Sequence, residues 1–289
     1  MQETSEISAL FNLLDDPDEE VFSTVSERIV YYGRGIIPNL EHLWENTTRN
    51  DVQERIEMLI HRLHFTDLIN DLTEWRDSAY HDLLFGALLV AKFQYPELQT
   101  TPVLQEIEKI RRNVWLELNS FLTPLEQANV ITSILYNYYN LKGVEISYAN
   151  PDDFFIHKVL QTKKGNTFSN GILYLILAEL LDIPVRAINI PRQFVLAFFS
   201  NDYDPVIHTG NPQQKINFYV DASTGQPFTH KDVENYFKRI SVPPVPSYFK
   251  PLSKKRVIQM LLEELAHCFD SPHLLYKKNE LIQLARQLD

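Results

Sequence analysis

The sequence predicts an α+β protein: a mostly helical N-terminal region, then a core in which a small antiparallel sheet packs against a buried helix, then C-terminal helices. Residues 164–199 change period partway. Ile172, Leu173, Leu175, Ile176, Leu177, Leu180 and Leu181 give a helix apolar almost all round, whereas 185–199 reads as short strands. Before this stretch, apolar residues recur at helical spacing from Ile7 to Tyr139, and after it the segments 254–269 and 272–288 return to that spacing.

The first stripe is Ile7, Leu10, Phe11 and Leu14, closed by an Asp15-Asp16-Pro17-Asp18 turn. Val21, Phe22, Val25, Ile29 and Val30 form a second, ended by Gly33-Arg34-Gly35. Ile36, Ile37, Leu40, Leu43 and Trp44 start a third helix; Val52, Ile56, Leu59, Ile60 and Leu63 mark a fourth. The order of acidic turn, helix, glycine and Ile-Pro-x-Leu resembles one HEAT-type helical repeat, and one unit does not make a solenoid. Leu83, Leu84, Ala87, Leu88 and Ala91 mark the next helix; Val103, Ile107, Ile110, Val114 and Leu118 mark another. Thr123-Pro124-Leu125-Glu126 combines a capping threonine, proline at the first helical position and a reciprocal glutamate, so it starts a helix.

In the core, Lys164-Gly165 is expected to turn the chain and Asn166 or Thr167 to cap the buried helix, which the Asp182-Ile183-Pro184 break ends. VRAINI and, after Pro191, QFVLAFF follow as strands, and the polar loop 200–214 reads as a hairpin connection to KINFYVD. Thr229-His230-Lys231-Asp232 caps a further helix, and three prolines within 242–246 predict an extended linker. The last two helical segments read as a helical pair that either packs back on the core or resembles an incomplete tetratricopeptide unit. These elements divide the chain into a HEAT-like region at 1–118, a core at 119–242 and C-terminal helices at 243–289.

The core resembles the transglutaminase-like superfamily, specifically its bacterial branch with helical and tetratricopeptide-like flanks. The likeness rests on the Thr167 helix with its Ile-Pro break, on Pro191-Arg192-Gln193-Phe194-Val195 as a Pro-Gly-His-Phe-like segment, and on Tyr219-Val220-Asp221. Asn150-Pro151-Asp152-Asp153 followed by FFIHKVLQ fits the segment preceding the catalytic helix. The resemblance implies a papain/transglutaminase-like core in which Thr167 stands at the cysteine position, Gln193 at the histidine position and Asp221 at the aspartate position.

The chemistry shows what those exchanges remove. A cysteine at a helix start becomes a nucleophile because the macrodipole and an adjacent imidazolium stabilise its thiolate, while the aspartate fixes the imidazole tautomer. A threonine hydroxyl is far harder to ionise, and a carboxamide has no titratable nitrogen to take its proton. The resemblance therefore implies a pseudoenzyme with no catalytic residues at the aligned positions, binding a protein or peptide through a cleft formed by Asn166, Thr167, Ser169, Gln193 and Asp221. Two alternatives stay open: an acyl-transfer or peptidase-type enzyme with a nonstandard nucleophile, and a helical scaffold whose cleft is vestigial. Ser169, His157, His208 and His230 are the residues that could rebuild a nucleophile and base.

Other sites are weaker. Cys268 has His267, Asp270 and His273 nearby, but adjacent helix residues point about 100° apart and the spacing matches no zinc pattern, so a buried structural cysteine is expected. His61 and His64 share a helix face without further ligands. No phosphate loop, dinucleotide fingerprint or metal motif is present, so neither cofactor nor metal is expected. A net charge of −11 disfavours nucleic acid and anionic membrane surfaces, which need basic protein surfaces. One cysteine excludes an intrachain disulfide, and the acidic start lacks a basic, apolar leader, so a cytoplasmic location away from the membrane is expected.

Overall fold

Side-chain caps and the positions of Gly and Pro set most helix boundaries, and the computed structural model describes the result for residues 2–16, 18–207 and 209–289. Pro17 of the expected first turn and His208 lie outside the described residues. The chain divides into two compact units, Met1–Glu74 and Trp75–Asp289.

In the first unit, α1 (Gln2–Asn12), α2 (Glu19–Tyr31), α3 (Ile37–Asn46) and the start of α4 (Asn50–Asp77) follow the four apolar stripes. Asp18 caps α2 by accepting from Glu20 N, and Leu14, Ile29, Leu40, Ile56 and Leu63 bury together in one core. The fourth stripe ended at Leu63, yet α4 continues to Asp77, 28 residues in all, because no glycine or proline interrupts it.

The second unit contains α5 (Leu83–Gln94), α6 (Thr100–Glu117) and α7 (Pro124–Thr132). Thr123 and Glu126 form the expected capping box, and α7 continues into a π-helical turn over 133–138. The strand β1 (Lys142–Gly143) precedes α8 (Ile156–Thr162) and pairs in parallel with β2 (Lys164–Gly165). Lys164-Gly165 is thus a short strand and not the expected turn. The reversal falls one residue earlier, at Lys163, whose left-handed backbone (φ 58°) ends α8.

Helix α9 (Thr167–Leu180) is buried at every position from Phe168 to Ala178, as an all-round apolar helix must be. The antiparallel sheet beside it runs β3 (Val185–Ile190), β4 (Gln193–Phe199), β5 (Ile216–Val220), β6 (Pro227–Phe228), each strand paired with its neighbour in sequence. Gly171 marks a close approach of helix and sheet. A Cβ there would sit 2.7 Å from Phe194 Cε1 and 3.1 Å from Ala222 Cβ, so the absent side chain is what lets the Phe194 ring lie against the helix.

Helix α10 (His230–Ile240) begins with the capping box of Thr229 and Asp232. The proline stretch expected as a linker is instead followed by residues fastened to the sheet. Phe249 is buried among Phe237 and Tyr203, and Leu252 N donates to Ala187 O at 2.8 Å. Extended backbone and firm docking are compatible, because proline fixes φ without preventing the next residues from packing. The final pair, α11 (Lys254–Ala266) and α12 (Leu275–Arg286), pack on each other, and α11 also lies on α5 and α9.

Candidate cleft at the start of the buried helix

Asn166 settles how α9 begins. Its fully buried Oδ1 accepts from Phe168 N at 3.0 Å and Ser169 N at 3.1 Å, satisfying two of the otherwise unpaired amides of the first turn. Thr167 therefore occupies the first helical position with its hydroxyl left over from capping. That hydroxyl lies 2.9 Å from Ser223 Oγ.

A cleft of about 1050 Å³ opens in front of this pair, and Thr167, Gln193 and Asp221 all line it. Gln193 is exposed at the first position of β4, and Asp221 follows β5 directly. The sequence separation is large, but helix start, hairpin end and strand end meet at one place. Asn166 and Ser169 do not line the cleft, contrary to the expectation that both would: Asn166 is turned in as the cap, and Ser169 Oγ donates to Asp153 O at 2.6 Å. Residues two apart on a helix face different directions, so Thr167 and Ser169 cannot both look into one groove.

Ser223 is the residue that sequence reasoning missed. Asp221 Oδ1 accepts from Ser223 N at 2.7 Å, the local turn that an Asp-x-Ser sequence favours, and Gly225 N donates to Asp221 O at 2.7 Å. Tyr136 and Thr132 brace the same loop by donating to Ala222 O at 2.6 Å and Gly225 O at 2.7 Å. Asp-Ala-Ser-Thr-Gly was a legible turn signal, yet only the fold brings its serine to Thr167.

The turn joining β3 and β4 consists of Pro191 and Arg192, since Ile190 pairs with Gln193. Arg192 has φ 64°, the left-handed region that favours glycine. This is the position where the Pro-Gly-His-Phe-like segment carries its glycine.

Elsewhere in the lining, Arg256 pairs with Glu263 at 3.0 Å and Tyr148 donates to Glu264 at 2.9 Å. Burial, reinforced by that carboxylate, pushes the Tyr148 phenol up to about 12. Among the described residues lining the cleft there is no histidine, cysteine or lysine.

The remaining candidates sit elsewhere. Burial first, and then Asp153, Asp270 and Glu264, push the Cys268 thiol up to about 12, so it stays protonated at neutral pH. His230 donates from Nε2 to Ile216 O at 2.9 Å, which leaves Nδ1 to accept from the Tyr219 hydroxyl at 3.1 Å. His61 stacks on Phe65, and among the described residues no group of three or more His, Cys, Asp or Glu side chains is placed to hold a metal ion. No helix among them is long and apolar enough to cross a membrane.

His157 is also away from the cleft, buried edge-on to the Tyr95 ring at 4.8 Å, with no hydrogen-bond partner for Nδ1. Burial, with a smaller contribution from Lys158 and against Asp152, lowers its pKa from 6.5 to about 4. Between those two values the unfolded chain binds a proton that the folded chain refuses, so this residue makes stability fall as pH drops through that window. His157→Phe is expected to shrink the difference in urea-unfolding free energy between pH 7 and pH 4.5. An unchanged difference would mean that His157 protonates normally in the folded protein.

Comparison with known proteins places the chain in a family. The family described as the transglutaminase-like superfamily matches residues 101–263, which takes in α9, the sheet and most of α11. A UPF0162 protein of Vibrio cholerae is 28% identical over 116 residues, 40% of this chain and 43% of that protein. The protein SirB1 of Salmonella typhimurium is 24% identical over 111 residues, 38% of this chain and 41% of that protein. F-box only protein 21 of Mus musculus is 32% identical over 68 residues, 24% of this chain and 11% of that protein. In each case less than half of the relative is covered. No solved structure matches the chain. The family match extends over more than half of the sequence, and the chain belongs to the transglutaminase-like superfamily.

Proposed function

We propose that this protein is a noncatalytic member of its superfamily whose cleft binds a protein or peptide segment. The observation that carries the reading is the fate of the nucleophile position: the Thr167 hydroxyl is engaged with the Ser223 hydroxyl, and Gln193 offers a carboxamide where a base is needed. An alcohol without an adjacent imidazole lacks the general base that acyl transfer requires. The cleft is nonetheless open. Its volume and mixture of apolar rings with polar groups suit a ligand of several residues, which favours binding over a scaffold with a vestigial groove. Exposed Glu145 and Ile146 also line it, available to an extended chain.

Two measurements test this. Hydrolysis of p-nitrophenyl acetate, and transfer from a glutamine peptide to a primary amine, are both expected at the same rate in the wild-type protein and in Thr167→Ala. Iodoacetamide is expected to label Cys268 only slowly until the protein is unfolded in urea, and Cys268→Ser to leave ligand binding unchanged. Turnover that folded Thr167→Ala loses would establish the enzymatic alternative in place of binding.

A further inference from the structure

The turn residue Arg192 combines three properties. It holds a left-handed backbone that strains an ordinary side chain and costs glycine nothing comparable. It lines the cleft. Among the described residues its guanidinium has neither an ion-pair nor a hydrogen-bond partner, whereas the other arginine of the lining, Arg256, is occupied by Glu263. Strain retained at a site, with no contact inside the protein to offset it, directs attention to a contact outside it.

The neighbouring groups suggest what that contact is. Asn189 and Gln193 flank the turn from opposite faces of the hairpin, and both are exposed and line the cleft, so three residues with N–H donors border it around this turn. Of the four acidic groups of the lining, three are engaged, Glu263 with Arg256, Glu264 with Tyr148 and Asp221 with the Ser223 amide, and the fourth, Glu145, is exposed. A planar guanidinium beside two carboxamides matches a carboxylate, which takes two parallel N–H bonds from the fork and further bonds from the amides. We propose that Arg192 anchors a carboxylate of the bound peptide, so that the cleft selects segments that present an anionic group to the β3–β4 turn. This rests on the reading of the cleft as a peptide-binding site.

The proposal is tested with four probes: acetyl-Val-Phe-Ala as the free acid, the same peptide as its amide, acetyl-Val-Phe-Glu amide and acetyl-Val-Phe-Lys amide. Amide chemical shifts of cleft residues report binding of each to the full chain. The free acid, the Glu peptide or both should bind about tenfold more tightly than the neutral amide, as expected for a charge-assisted bond at a partly exposed site. Which of the two is preferred distinguishes a chain terminus from an acidic side chain. Arg192→Gln should abolish the ratio, and Arg192→Lys should retain a smaller one.

Arg192→Gly gives the sharper signature, because it should raise the urea midpoint while losing the discrimination. A residue with a purely structural role would not combine those signs. Equal affinity for acid and amide, tightest binding of the lysine peptide, or a ratio that survives Arg192→Gln would overturn the proposal while leaving a peptide-binding cleft in place. No shift at the cleft with any probe would remove the peptide-binding reading, and this proposal with it.

Discussion

Gly143→Ala is expected to destabilise the protein by about 3 kcal/mol, near the upper end of ordinary overpacking effects. A Cβ at this position would lie 2.4 Å from the Ser223 carbonyl oxygen and 2.8 Å from Ser223 Cβ. The first of those is backbone and cannot swing away. Relief requires moving β1, which is paired to β2 through Gly143 and Gly165, or moving the loop that begins at Asp221. That loop is held by Tyr136 and Thr132, so neither route is soft. The displacement would also separate Ser223 from Thr167 across the cleft. Urea unfolding measures the cost, with Gly35→Ala as the control: nothing lies within 4 Å of its added methyl, and a change within about 0.5 kcal/mol is expected. A Gly143→Ala protein as stable as wild type would mean that the close approach of β1 to the Ser223 loop is wrong.

Phe194→Ala is expected to cost about 4 kcal/mol, within the range for removal of a buried aromatic ring. Phe194 is 5% exposed, packs on Phe168 with ring centroids 5.1 Å apart, and covers Gly171. At Gly171 the helix has no side chain that could move into the vacated space. This also predicts a coupling. Gly171→Ala alone should destabilise, since the gain in helix propensity of about 1 kcal/mol is outweighed by the 2.7 Å approach to the ring. In a Phe194→Leu background the added methyl should be tolerated or favourable. A double-mutant cycle over the two positions therefore yields a coupling energy of about 1 kcal/mol or more, and strict additivity would show that the helix and the first residues of β4 do not touch.

What could be read directly from the sequence was local. Thr123 and Thr229 announced their helices because a capping box is written within four residues, and the burial of α9 was legible because no polar face interrupts it. The strands 185–190 and 193–199 followed from the helix break and from Pro191. What escaped depended on distant partners. Lys164-Gly165 looked like a turn because its pairing strand lies at Lys142-Gly143, and a two-residue strand has no period to detect. Asn166 and Thr167 were equivalent as capping residues until the structure assigned the cap to Asn166, which in turn released the Thr167 hydroxyl to Ser223. The anchoring of Phe249 and Leu252 behind the prolines was invisible for the same reason.

Placement of Thr167, Gln193 and Asp221 around one cleft is necessary for the view that a catalytic constellation has been replaced by a binding one, and chemistry can test whether that placement is functional. The measurement is the pH dependence of iodoacetamide alkylation in a Cys268→Ser background, comparing Thr167→Cys with Thr167→Cys/Gln193→His. In the first protein the new thiol sits at the start of α9 with the Ser223 hydroxyl as a donor, so its midpoint should fall modestly below the free-cysteine value of about 8.5. In the second, an imidazolium at the first position of β4, with the Asp221 carboxylate in the same cleft, should lower the midpoint by a further unit or so, roughly as charge pairing does in thiol enzymes. Little turnover is expected even then, because oxyanion donors and substrate positioning are not restored by two substitutions. A thiol whose midpoint is indifferent to the added histidine would contradict the assignment of positions 167, 193 and 221 to one constellation.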